Sequence, residues 1–277
     1  MNEDGLHGIG DRLAALETYG VGTWQDLSTI LEGLKGRHID AHPPQNTPTP
    51  TEFKKEVSQS LAILSHRLAP DSLGNELLKT SWALRTVLSQ NTGADPHIHW
   101  IAGRILPHTP HVKEPRSSYL QIPGFGGPEG SLDPYFQLFR TRLERNHEAY
   151  RLLPKVIWKS ALQLAARLGS YLEEVQTRLL IAADVGSLPL DISTTLATVL
   201  VAELARLPVI CLNGSFFWEQ TCSAESTSPT VRYNRNAHLP EVFSVLETLF
   251  PWDSPLWIHA NASESQSRYI REAMGVN

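Results

Sequence analysis

The chain has 277 residues, 41% of them hydrophobic, enough for one large or two modest domains with a real core. A formal net charge of −5 gives no overall electrostatic case for nucleic acid or an anionic membrane. Two cysteines, Cys211 and Cys222, make neither a disulfide scaffold nor a zinc site. The polar, acidic N-terminus and the lack of any apolar run of spanning length set the expectation of a cytoplasmic protein without a membrane span.

Residues 1–38 read as a unit of their own, a helical hairpin running Leu6–Leu16, Tyr19-Gly20-Val21 and Thr23–Leu27. Gly8-Ile-Gly10 before a helix resembles the hairpin of helix-hairpin-helix modules, whose backbone N–H groups hold a nucleic-acid phosphate. Its basic groups are Arg12, Lys35 and Arg37, so a hairpin used for packing or protein contact is the preferred reading of residues 5–36. Residues 39–52, with four prolines and almost no large apolar side chain, read as an extended linker to the main domain at 53–277.

Beyond the linker, Phe53–Ser60 is helical in pattern and leads into the apolar run Leu61–Leu64, which ends at Ser65-His66. Arg67–Asn75 reads as a polar loop containing Gly74, followed by a helix Glu76–Gln90 and a second apolar run, Ile98–Ala102. That loop is neither a dinucleotide fingerprint nor a P-loop, although a helix N-terminus after a parallel strand is a generic anion site. Residues 107–134 are rich in Pro, Gly and His and read as a long loop; His108 and His111 lack the further ligands of a metal centre and read as surface histidines. Two long amphipathic helices, Tyr135–Arg151 and Lys155–Glu174, follow.

The stretch Leu179–Trp218 organises the chain. Leu179–Ala183 and Val209–Leu212 are short, β-rich apolar runs, and Ile192–Leu204 between them is apolar at helical spacing, with Asp191 or Ser193 as N-cap and Leu207-Pro208 as its end. Strand, helix and strand make a right-handed βαβ unit with parallel strands. Next come a polar surface loop, Gln220–Asn236, a helix Pro240–Phe250, the apolar run Leu256–His259, and a helix Gln266–Met274 capped by Ser263 or Ser265 and closed by Gly275.

Ligands of a parallel sheet sit at the carboxyl ends of its strands. Ser65, His66, Gly74, Asn75, Asp184, Asn213, Gly214, Ser215, Asn261 and Ser263 each follow or end a predicted strand and are expected on one rim, facing an oxygen-rich ligand. Phe216-Phe217-Trp218 should shield that rim or face a second domain, and Glu219 is a candidate sugar contact. No nucleophile elbow occurs, and Asp184, Ser215 and His259 follow no family-specific triad pattern.

Three segments resemble the N-terminal, acceptor-side domain of retaining GT-B glycosyltransferases. They are Ala62–Leu68 with Gly74–Leu84, then Leu207–Glu219, then Trp257–Val276, and together they span residues 53 to 277. The resemblance implies transfer of a sugar from a nucleotide sugar to an acceptor, with no cofactor and with a donor-binding domain or second chain as partner. The histidine and aspartate of the family's second segment fall on Gly214 and Ser215, and the chain stops at Asn277 where the donor-binding domain would begin. The expectation is therefore an α/β protein, a Rossmann-like parallel sheet preceded by a helical hairpin, inactive alone toward nucleotide sugars; the alternative is a non-enzymatic binding module on the same scaffold.

Overall fold

Six strands form one sheet, and every pairing in it is parallel. They are β1 (Leu61–Leu68), β2 (Ile98–Ile105), β3 (Ser117–Gln121), β4 (Leu179–Ala183), β5 (Val209–Asn213) and β6 (Trp257–Asn261), in spatial order β3-β2-β1-β4-β5-β6. The helices are α1 (Ile9–Glu17), α2 (Trp24–Gly36), α3 (Pro50–Val57), α4 (Ser72–Thr92), α5 (Glu148–Glu174), α6 (Ile192–Ala205), α7 (Pro240–Leu249) and α8 (Glu264–Met274). This computed structural model describes residues 8–36, 49–57, 59–93, 95–107, 109, 114–126, 134, 137, 138, 141–187, 191–216, 219, 236 and 238–276. Among them no helix is long and apolar enough to cross a membrane. The α/β, Rossmann-like architecture expected from the strand–helix alternation is what the chain adopts.

The sheet is covered on both faces, which is why its inner strands read as continuous apolar runs. Ala62 and Leu64 of β1 face a core shared with α1, α2, α5, α6 and α7, while Leu61 and Ile63 face a second core with α3 and α4. Helix α6 has all fourteen residues buried, so it is enclosed around its whole circumference. Its threonines find partners within the fold: Thr195 Oγ1 donates to the Val185 carbonyl, and Thr198 Oγ1 to that of Thr194 at 2.8 Å.

Three expectations are corrected. Residues 107–134 are not loop throughout, because Ser117–Gln121 pairs with β2 as the edge strand β3. The polar loop after β1 is only three residues long: β1 runs to Leu68 and α4 starts at Ser72, so Gly74 and Asn75 lie in the helix's first turn. The third concerns Pro154, where α5 continues for 27 residues instead of dividing into two helices. Proline has no N–H for the Tyr150 carbonyl four residues back. That carbonyl instead accepts the indole N–H of Trp24 in α2, at 3.2 Å.

The N-terminal hairpin is also not a separate core. Ile9, Leu13, Trp24, Leu27 and Leu31 are each 3% exposed or less and belong to the same buried cluster as Leu153, Leu168 and Leu200. Full burial of such side chains stabilises by about 1.5–3 kcal/mol each. Arg12 donates to the Leu204 carbonyl in the last turn of α6, where a cation is favoured, and Lys35 lies 5.3 Å above the Trp252 ring. The Gly8 N–H, a phosphate donor only in the less favoured reading of the hairpin, bonds Glu173 Oε1 at 2.9 Å. Arg37, residues 39–48 of the linker, His108, His111, Phe217, Trp218, Cys222 and residues 220–235 lie outside the described residues. Asn236, read as the end of a surface loop, is buried: its amide donates to the carbonyls of Leu138 and Thr141 and accepts the Leu143 N–H.

Candidate functional site

The strand order reverses between β1 and β4, because β2 and β3 lie on one side of this pair and β5 and β6 on the other. Crevices for ligands open at the carboxyl edge of such a reversal. Ser65 pairs with Ala183 across it, so the next residues, His66 and Asp184, stand side by side at its mouth.

Asp184 adopts a left-handed backbone, φ 55°, a conformation that Asp tolerates better than most residues. Its carboxylate reaches across to β5 and accepts the Gly214 N–H at 2.8 Å, with Ser187 Oγ at 3.5 Å. Burial pushes its pKa up, Gly214 and Ser187 pull it back, and the charge of Glu76 adds to the rise. His66 is 9% exposed, and beyond the Asp184 main chain neither ring nitrogen has a hydrogen-bond partner among the described residues. Burial lowers its pKa to about 4, opposed in part by the nearby Asp184 main chain, so the imidazole is neutral at pH 7.

The wall of this crevice on the β2 side is a turn not read from sequence. A Cβ at Gly103 would lie 1.6 Å from the Phe125 carbonyl oxygen and 2.9 Å from that of His66, so only glycine admits the turn there. Gly126 follows with φ 95°, packs against His66 and donates its N–H to Thr194 Oγ1 at 3.3 Å. The Ile122-Pro-Gly-Phe-Gly126 run is the sequence signal for it: a proline and two glycines, both of which adopt positive φ.

The other residues of the rim fall into two groups. Asn213, Gly214, Asn261 and Ser263 converge at the β5–β6 end of the edge, but mainly on one another. Asn213 Nδ2 donates to Asn261 Oδ1 at 2.8 Å and lies 3.2 Å from His259 Nδ1, whose other ring nitrogen is 2.9 Å from the Trp252 carbonyl. Ser263 caps α8 in a capping box with Gln266. Glu219, the candidate sugar contact, takes the Gln266 amide at 2.7 Å and the Phe216 N–H at 2.8 Å; Phe216 is fully buried. Ser215 is half-buried beside them. Asn213 Oδ1 is buried and has no hydrogen-bond partner among the described residues.

The second group is structural outright. Ser65 Oγ donates to the Arg67 carbonyl at 3.1 Å, and Asn75 is exposed, with its N–H bonding the Asp71 carbonyl. Gly74 is required by packing: a Cβ there would sit 1.9 Å from the Ala69 carbonyl oxygen. Its N–H is not free to donate to a ligand either, since it donates to the N-cap Asp71 at 2.9 Å. At the β1–β4 end, Gly214 is exposed, Asp184 and Ser215 are half-buried, and His66 lies buried beneath them.

Among the described residues no cluster of three or more His, Cys, Asp or Glu side chains could hold a metal ion. Cys211, with its thiol pKa raised to about 12 by burial, is not a nucleophile. No protein-family model matches the chain, and neither a curated protein nor a solved structure is detectably similar to it.

Proposed function

We propose that the chain is the acceptor-side part of a glycosyltransferase and that the crevice between β1 and β4 receives a hydroxyl of the sugar acceptor. The observation that carries this reading is His66: a buried imidazole, neutral at pH 7, at the reversal of strand order, with no side-chain partner on either ring nitrogen among the described residues. A neutral imidazole accepts a hydroxyl proton at one nitrogen and donates at the other, which is the pairing that a sugar hydroxyl offers. Asp184 and the Gly214 main chain supply a second polar wall. The resemblance of three segments in chain order to the acceptor-side domain of retaining GT-B enzymes supports the same assignment.

Binding without transfer is the second reading, favoured by Gly214 at the place of the family's histidine. Both readings require a hydroxylated ligand at His66. The test is saturation-transfer NMR of the full chain with free hexoses and their methyl glycosides, repeated with His66→Gln. At least one sugar should bind, and the variant should weaken it by about tenfold, the loss of one well-placed hydrogen bond. Absence of binding by every sugar, or equal binding by the variant, overturns the proposal.

A further inference from the structure

A cleft opens between α5 and the start of α6, one turn away from His66. It holds about 160 Å³ and is lined by Ser160, Gln163 and Arg167 of α5, by Asp191 and Ser193 at the α6 N-terminus, and by Gly124 of the turn whose Gly126 packs on His66. Ser193 is 2% exposed, and its hydroxyl has no hydrogen-bond partner among the described residues. A buried hydroxyl without a partner costs about 1–3 kcal/mol unless something bonds it.

The cleft's charges narrow what that something is. Asp191 is saturated from within: it accepts the Ser193 N–H at 3.1 Å and the Thr194 hydroxyl, with the N–H groups of Gly126 and Thr194 also bonding it. Its lone pairs are spent on the α6 cap and leave nothing for a ligand cation. Arg167 is exposed at the cleft's lip and, among the described residues, makes no ion pair, so its fork is the charged group left to a ligand. The volume suits a small ligand that reaches both groups at once.

We infer that this cleft, lined by Arg167 and Ser193, binds a short hydroxylated oxyanion, its anionic group on the Arg167 guanidinium and a hydroxyl on Ser193 Oγ. This goes beyond acceptor recognition at His66 and rests on different residues. Phosphate and carboxylate share the required chemistry, and the probes separate them.

The full chain is titrated calorimetrically with glycerol 3-phosphate, glycerate, inorganic phosphate and glycerol. Glycerol 3-phosphate or glycerate should bind about tenfold more tightly than inorganic phosphate or glycerol, and whichever is tighter names the anionic group. Arg167→Gln, at an exposed position, should weaken the tighter probe about tenfold. Ser193→Ala should weaken it about fivefold while leaving inorganic phosphate unaffected and the melting temperature the same or higher, since only an unpaired hydroxyl is removed. His66→Gln should leave these affinities unchanged, so this site and the His66 crevice fail independently. No binding by glycerol 3-phosphate and glycerate, or equal binding by Arg167→Gln and Ser193→Ala, overturns the inference.

Discussion

A side chain at position 74 would strike the Ala69 carbonyl, whereas the imidazole of His66, eight positions earlier, finds no side-chain partner among the described residues. Both residues read alike in the sequence, as polar or flexible positions after an apolar run. Their roles diverge because α4 begins at Ser72 and presses its first turn onto the strand end, and this depends on a tertiary approach that no local pattern encodes. His66 also carries a pH signature. Its folded pKa lies near 4, below the ordinary 6.5, so the folded chain resists a proton that the unfolded chain binds. The associated stability is complete above pH 6.5 and is lost as the pH falls through that interval to about 4, by up to about 3 kcal/mol. His99, also lowered to about 4, titrates in the same window. Urea unfolding across pH 4–7 should therefore show a shallower acid loss for His66→Gln than for the native chain. Identical slopes would mean that His66 reaches solvent or a partner in the folded protein.

At the scale of elements, the apolar runs of β1, β2, β4, β5 and β6 were legible because each is buried or carries β-rich residues between turn signals. Strand β3 was not legible. Ser-Ser-Tyr-Leu-Gln is a half-exposed edge segment without alternation, and its pairing to β2 supplies the order that its composition lacks. Helix α5 was misread for a similar reason: Pro154 is a local stop signal, and the group that relieves it, the Trp24 indole, lies 126 residues from Tyr150 in sequence. This arrangement is testable by a double-mutant cycle. Trp24→Phe should cost about 1–3 kcal/mol in denaturant unfolding by leaving the Tyr150 carbonyl without a donor. In a Pro154→Ala background the helix provides its own N–H for that carbonyl, and the same change should cost distinctly less. Additive costs would show that the indole contributes packing alone.

Across the whole molecule, strand order and parallel direction bring residues that are far apart in sequence to one edge, and so the candidate edge could be read from βαβ spacing alone. The same edge divides by function of its polar groups. The β5–β6 end closes on itself through Asn213, Asn261, Glu219 and Gln266, while the β1–β4 end keeps an imidazole with no side-chain partner among the described residues. The hairpin of α1 and α2 packs into the core against α5, α6 and α7, because an amphipathic pair of helices looks the same in sequence whether it buries its face on itself or on a neighbour. The central claim is that a sugar hydroxyl enters between β1 and β4. Amide chemical-shift mapping of the full chain, titrated with the hexose or methyl glycoside that binds best, tests it most directly. The expected result is that the largest shifts fall on His66, Gly126, Asp184 and Gly214, with the opposite edge of the sheet, around Ser60 and Arg178, unmoved. Shifts confined to that opposite edge, or to α1 and α2, would contradict it.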